Sequence, residues 1–416
     1  MLQSVSFIFG LAVLFSLINY RWLKFPYAIG LVLISVVMVG LLYLLEPLVP
    51  NIFHGFCEVV SAADFEHLLF DVLLSPLLFA GALHIDIHKL AKERWSILLF
   101  ASLGVLISTF LVGGSIKMLS TMMGIELPWI FCLLFGSLIS PTDPIAVLSV
   151  LERAGIGQSL LLKIKGESLF NDGFGIVVFS GLLLFVPSLG MPGGEKIIAS
   201  EIGLLFLKEV VGGLVFGGIL GYVGFRLAES VCAKPTLPVL VSFAVVLAGA
   251  AVAHALHFSA PLAMVVCGLI IGNNLKVNDD MNSEAKELHN RVWKVLDKAL
   301  NGLLFVLIGL AIHLLEFDTG FLLMGIMAIF PVLLIRFITV YSTYSLLKSP
   351  EAHPINTATI LTWGGLHGGI SIALALRLSS YPDGGGIILM AYMVVLFSIL
   401  VQGLTMKKLV QALNKE

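Results

Sequence analysis

Long apolar runs alternate with short polar connections along the whole chain. Thirteen runs stand out, at about 3–19, 26–45, 65–83, 96–118, 128–151, 168–187, 202–225, 236–256, 259–273, 299–315, 321–347, 356–376 and 386–406. Most approach the ~20 residues a helix needs to cross ~30 Å of hydrocarbon. The pattern predicts an all-α polytopic membrane protein of about thirteen spans, with 1–416 forming a single membrane domain. The ninth run is short, and its separation from the eighth rests on Ser259-Ala260-Pro261, so twelve spans is the alternative count. No connection is long enough for a soluble domain. The longest polar stretch, about 274–298, repeats Leu288, Val292, Val295 and Leu296 at helical spacing, which predicts a helix lying on the inner interface.

Composition agrees: 58% of the 416 residues are hydrophobic and 12% are charged, against ~25% charged in a soluble domain. The net charge of -2 offers no basic surface for nucleic acid. Cys57, Cys132, Cys232 and Cys267 are scattered, with neither a disulfide framework nor a thiolate metal site indicated. No basic residue precedes the first run, and Arg21 follows it, which predicts a retained span rather than a cleaved signal. With the N-terminus outside, nineteen of the 24 Lys and Arg residues fall on inward connections. Only Lys117, Lys196, Lys208 and Arg377 fall outside, and Arg336 is left within a span. Such a bias orients the chain N-terminus out and C-terminus in.

Three spans are chemically unusual. Span five contains Ser140-Pro141-Thr142-Asp143-Pro144, whose prolines remove amide donors and disfavour helix before them. Span twelve contains Gly364-Gly365-Leu366-His367-Gly368-Gly369, which weakens a helix. The two spans run in opposite directions, as an inverted repeat of spans 4–6 and 11–13 requires, and paired broken helices point to a midplane transport site. Span six opens with Gly166-Glu167-Ser168-Leu169-Phe170-Asn171-Asp172-Gly173. On a helix, Ser168 shares a face with Asp172, and Glu167 shares an adjoining one with Asn171. Arg336 lies near the centre of span eleven and needs an anionic partner, for which Glu167, Asp143 and Asp172 are the candidates. His84 and His88, four apart, read as a solvated end; His254 and His257 read as packing or interfacial residues.

Asp143 and Asp172, with carbonyls freed by Pro144 and the Ser168 hydroxyl, make a hard-oxygen donor set suited to alkali cations. Burial and repulsion between carboxylates both favour a protonated acid. A carboxylate that holds either a proton or Na+, but not both, is sufficient for exchange when access alternates.

These motifs, in this order, resemble the cation/proton antiporters of the NhaP/NHE type, over essentially the whole membrane domain. The resemblance implies an NhaA-like antiporter fold and no cofactor, with Na+ and H+ as transported ions and Li+ or K+ as alternative cations. It implies a homodimer in the lipid bilayer, placed here in a bacterial inner membrane. Spans 4–6 (about 96–187) and 11–13 (about 321–406) would form the transport core. Spans 1–3 and 7–10 (about 3–83 and 202–315) would form the dimerisation scaffold. Carried over by position, Asp172 and Asp143 bind the ion and exchange the proton, and Ser168 and the Thr142 carbonyl assist. Asn171 braces the break at Thr142, and Glu167 pairs with Arg336. Asn171, where electrogenic relatives carry a second Asp, implies electroneutral one-for-one exchange. Two positions depart from the family: Ala80 stands where a Glu is common, and His367 where an Arg is common. His367 is thereby a candidate pH modulator, its unperturbed pKa of about 6.5 lying within the working range. The competing readings are a K+/H+ antiporter of the same fold, an intramembrane aspartyl protease, whose sequence settings are missing here, and a passive channel, which would not need a centrally buried Arg.

Overall fold

The computed structural model describes residues 2–153, 156–186, 199–277, 282–346 and 354–413. Lys196, Lys348 and Lys415 of the charge count, and 278–281 of the polar stretch, lie outside the described residues. The described chain is helical, with no strand among the described residues. Ten helices are long and apolar enough to cross a membrane, eleven if Ile355–Gly364 and Gly369–Leu376 count as one bent span. Expected spans five and six fall outside that count for local reasons. Span five is divided into Trp129–Ile139 and Ile145–Arg153. Span six, expected at 168–187, is carried by the helix Gln158–Leu183, which starts earlier, ends earlier and holds Lys163, Lys165, Glu167 and Asp172.

Contacts group the chain into two units. The first comprises 1–69, 106–164 and 301–416. Its helices start and stop on local signals. Asn19 closes the turn between the first two spans, its Nδ2 donating to the Phe25 carbonyl at 3.0 Å and its Oδ1 accepting from the Phe25 N–H at 3.1 Å. Pro50 opens the amphipathic helix Pro50–Ser61, which buries Phe53, Phe56 and Val60. Proline suits a first helical turn because those N–H groups have no intrahelical partner. Pro331 lies inside the helix Thr319–Leu346. The last span runs Gly384–Phe397, passes through a π-helical turn at Ser398–Gln402 and continues as Gly403–Leu413.

The second unit comprises 70–105 and 165–300. Its core gathers Phe79, Leu83, Val246, Met264, Cys267, Ile271 and Trp293. A Cβ on Gly217 would collide with the backbone of Ala263, so the helix Ala199–Ser230 approaches Ala260–Val277 closely only because that position is bare. Asn273 holds the turn after span three, accepting from the Ile87 N–H at 2.8 Å and donating to the Ile85 carbonyl at 2.9 Å.

The expected interfacial helix takes a different form. Ser283–Leu310 is one continuous helix, so 283–298 of the polar stretch is the N-terminal part of the tenth span, while 274–277 ends the helix Ala260–Val277. Its buried stripe is Ala285, His289, Trp293 and Leu300, with Leu296 partly buried, whereas Val295 is 67% exposed. Packing decides the stripe. Trp293 is fully buried, 4.7 Å from Phe79 and 5.0 Å from Phe243 between ring centroids, and its Nε1 donates to Ser242 Oγ at 2.8 Å.

Candidate functional site

The candidate residues fall into two groups, one in each unit. In the first unit, helix Trp129–Ile139 ends at Ser140, whose hydroxyl donates back to the Gly136 carbonyl at 2.6 Å. Residues 141–144 are non-helical and the chain re-enters helix at Ile145. Pro141 and Pro144 bear on both events because they have no N–H to give, while Ser140 itself keeps helical angles (φ −63°, ψ −38°). Asp143 Oδ1 accepts from the Ile145 N–H at 2.9 Å, the manner in which an Asp caps a helix start.

Span twelve breaks as expected. Pro354–Gly364 stops, 365–368 are non-helical, and Gly369–Leu376 resumes after a bend of 53°. The two breaks are joined through the backbone, the Asp143 N–H donating to the Leu366 carbonyl at 2.6 Å. A Cβ on Gly368 would sit 2.8 Å from Asp143 Oδ2 and 2.9 Å from Asp143 Cβ, so the approach requires a glycine. Gly368→Ala is therefore expected to destabilise the protein by about 1–3 kcal/mol through overpacking. Gly365→Ala, whose Cβ would meet the Leu361 carbonyl at 3.1 Å and Arg336 Nε at 3.2 Å, is less crowded and should lose less. Thermal denaturation of the two purified variants checks the order.

Arg336 is 9% exposed and stands against both breaks: its Nη2 donates to Thr142 Oγ1 at 3.4 Å, and the bare face of Gly365 lies beside its guanidinium. His367 is buried. Its N–H donates to Ser398 Oγ at 2.9 Å and its ring engages the Ile139 backbone, while Nδ1 has no hydrogen-bond partner. Thus Thr142, Asp143, Arg336 and His367, remote in sequence, line one crossing of interrupted helices.

The second group lies on the unbroken helix Gln158–Leu183. Glu167, Asn171 and Asp172 are buried and Ser168 is partly so. Helical geometry gives the expected pairs, Glu167 with Asn171 and Ser168 with Asp172, on adjoining stripes. No charged residue follows Asp172 before Leu183. Gly173 sits tightly on Leu262, and Gly166 on Leu90 and Ile97, which seats this polar turn in the packing. Ala80 is fully buried among apolar core residues. His84 and His88 are exposed, as expected of a helix end.

The oxygen donors available to a cation are therefore the Asp143 carboxylate, the Thr142 hydroxyl and the carbonyls of the interrupted segments in one group. In the other they are the Asp172 carboxylate and the Ser168 hydroxyl. Sequence reasoning passed over two residues that touch this machinery, Ser398 and Gln402. The available signal was a pair of polar residues one turn apart in the apolar run 386–406.

Comparison with known proteins places these features. The family model described as "Sodium/hydrogen exchanger, transmembrane" matches residues 9–412. The chain is 40% identical to the Na(+)/H(+) antiporter NhaP of Pseudomonas aeruginosa, over 99% of this chain and 96% of that protein. It is 32% identical to the Na(+)/H(+) antiporter NhaH of Halobacillus aidingensis, over 95% and 93% of the two chains. Among solved structures, the sodium proton antiporter MjNhaP1 from Methanocaldococcus jannaschii at pH 8 shares the fold with a TM-score of 0.75. That match covers 100% of this chain and 99% of the other at 18% identity.

Proposed function

We propose that this chain, which belongs to the sodium/hydrogen exchanger family and is a Na+/H+ antiporter of the membrane rather than an enzyme, exchanges its ions by competition at Asp172 and Asp143. One observation supports this most: Asp143 stands where two interrupted helices cross, its N–H bound to the Leu366 carbonyl. Broken helices supply what a dehydrated cation needs, carbonyl oxygens without helical partners beside a carboxylate. Asp172 is the principal ion-binding and proton-exchanging acid, and Asp143 the second. Ser168 and Thr142 add neutral oxygens.

Each side of the membrane loads the ion in excess, and alternating access carries it across. Glu167 and Arg336, opposite in charge and both buried, cancel in the transported balance. With Asn171 preceding Asp172, one Na+ exchanges for one H+ and no net charge moves. His367 is a buried ring packed at the break and bonded to the Ile139 backbone. The protein works as a homodimer, with spans 4–6 and 11–13 moving against spans 1–3 and 7–10. Its N-terminus is outside and its C-terminus is cytoplasmic, in a bacterial inner membrane.

Proteoliposomes carrying a pH gradient test the reading. Na+ addition should dissipate the gradient, and vesicles clamped at different membrane potentials should reach the same exchange equilibrium. Dissipation by K+ in preference to Na+ would make K+ the physiological cation. An equilibrium that shifts with voltage would overturn the one-for-one stoichiometry.

A further inference from the structure

The break in span twelve removes a specific helical hydrogen bond. In an unbroken α-helix the His367 N–H would donate to the Trp363 carbonyl four residues earlier. Here both groups are taken by side chains of the last span. The His367 N–H donates to Ser398 Oγ at 2.9 Å, and Gln402 Nε2 donates to the Trp363 carbonyl at 3.3 Å. Ser398 and Gln402 are four residues apart and bound the π-helical turn Ser398–Gln402. Single π-turns occur mostly where a helix must redirect side chains, often at functional sites. Both residues are 0% exposed. A buried hydroxyl and a buried amide are unfavourable in apolar packing unless they bond something that needs them. From the same face, Thr405 Oγ1 accepts from the Trp363 indole Nε1 at 2.9 Å, fixing the side chain of the residue whose carbonyl Gln402 holds.

We infer that Ser398 and Gln402 form a two-point clip that substitutes for the missing helical bond, and that they are positioning residues of the ion site. Their action passes through Leu366, which lies between the two clipped groups. In a helix its carbonyl would serve residue 370; held open, it accepts the Asp143 N–H at 2.6 Å. Without the clip, the Trp363 carbonyl and the His367 N–H are free to pair with each other. The turn then closes, and the Leu366 carbonyl swings away from Asp143. The clip thus keeps Asp143 and the freed carbonyls in binding register while touching no ion. This inference rests on the proposed role of Asp143.

Ser398→Ala removes the acceptor and Gln402→Met removes the donor at nearly constant volume. Ser398→Thr keeps the hydroxyl. Two readouts are compared in the purified proteins. Amide hydrogen exchange over 363–368 should accelerate about five- to tenfold in Ser398→Ala, as expected for one lost hydrogen bond, and stay near wild type in Ser398→Thr. In proteoliposomes the apparent KM for Na+ should rise about fivefold or more in Ser398→Ala and Gln402→Met, with a smaller change in maximal rate and rescue in Ser398→Thr. The double variant, in which the two released groups can pair, should unfold no more readily than the worse single variant yet bind Na+ least well. Unchanged amide exchange in Ser398→Ala would overturn the clip. Faster exchange with an unchanged Na+ KM would overturn the positioning role. Wild-type protein and Asp172→Asn are run alongside. Absence of Na+-driven flux in the wild type would sink the proposed function itself, while the amide-exchange comparison would still decide the clip.

Discussion

Asp172→Asn is expected to reduce Na+-driven proton exchange to background in reconstituted vesicles while leaving the protein folded. Asp172 is 7% exposed on a helix with no later charge before Leu183. An ionisable group at that depth is unfavourable by several kcal/mol unless it has a partner or a role. Asn keeps the shape and removes both the negative charge and the titratable proton, so neither ion retains its counter-charge. Folding should survive, because a neutral amide is easier to bury than a carboxylate. Asp143→Asn should be nearly as severe for transport, since it removes the second carboxylate while leaving an oxygen able to cap Ile145. Substantial exchange in a well-folded Asp172→Asn protein would contradict the carboxylate mechanism.

The largest loss of stability should come from Arg336. Arg336 is 9% exposed, and its guanidinium stands against both helix breaks, where Thr142 Oγ1 accepts from Nη2. Glu167 is the proposed counter-charge of this buried cation. Removing one partner of a buried pair leaves the other uncompensated, which costs about 3–5 kcal/mol. Arg336→Gln and Glu167→Gln should each lower thermal stability on that scale, and the double variant should lose less than the sum. Strictly additive losses would mean that Arg336 answers to another carboxylate.

What the sequence made legible was backbone chemistry carried by single residue types. Pro141 and Pro144 announce the break in span five because proline has no N–H, and the glycines of 364–369 announce the one in span twelve. Glu167, Asn171 and Asp172 were legible because charge and amide groups are rare in an apolar run. What escaped depended on partners distant in the chain. Trp293 faces inward because Phe79 and Phe243 wait for it, so the buried stripe of that helix was shifted from Val292 and Val295, and nothing local marks the shift. Ser398 and Gln402 look like tolerated polar residues until the Trp363 carbonyl and His367 N–H, 39 and 31 residues away, are known to lack helical partners. His367 was flagged for its charge, and its backbone N–H proved the more informative group.

Competition between Na+ and H+ for the same carboxylates is the claim on which the rest depends, and the pH dependence of the apparent Na+ KM tests it most directly. Initial rates of Na+-driven proton flux in proteoliposomes, measured from about pH 6 to 9 at several Na+ concentrations, separate KM from maximal rate. KM should rise as pH falls, approaching ~10-fold per pH unit on the acid side where one proton excludes one Na+, while the maximal rate at saturating Na+ changes little. A Na+ KM that stays constant across that range, with the maximal rate falling instead, would contradict that competition.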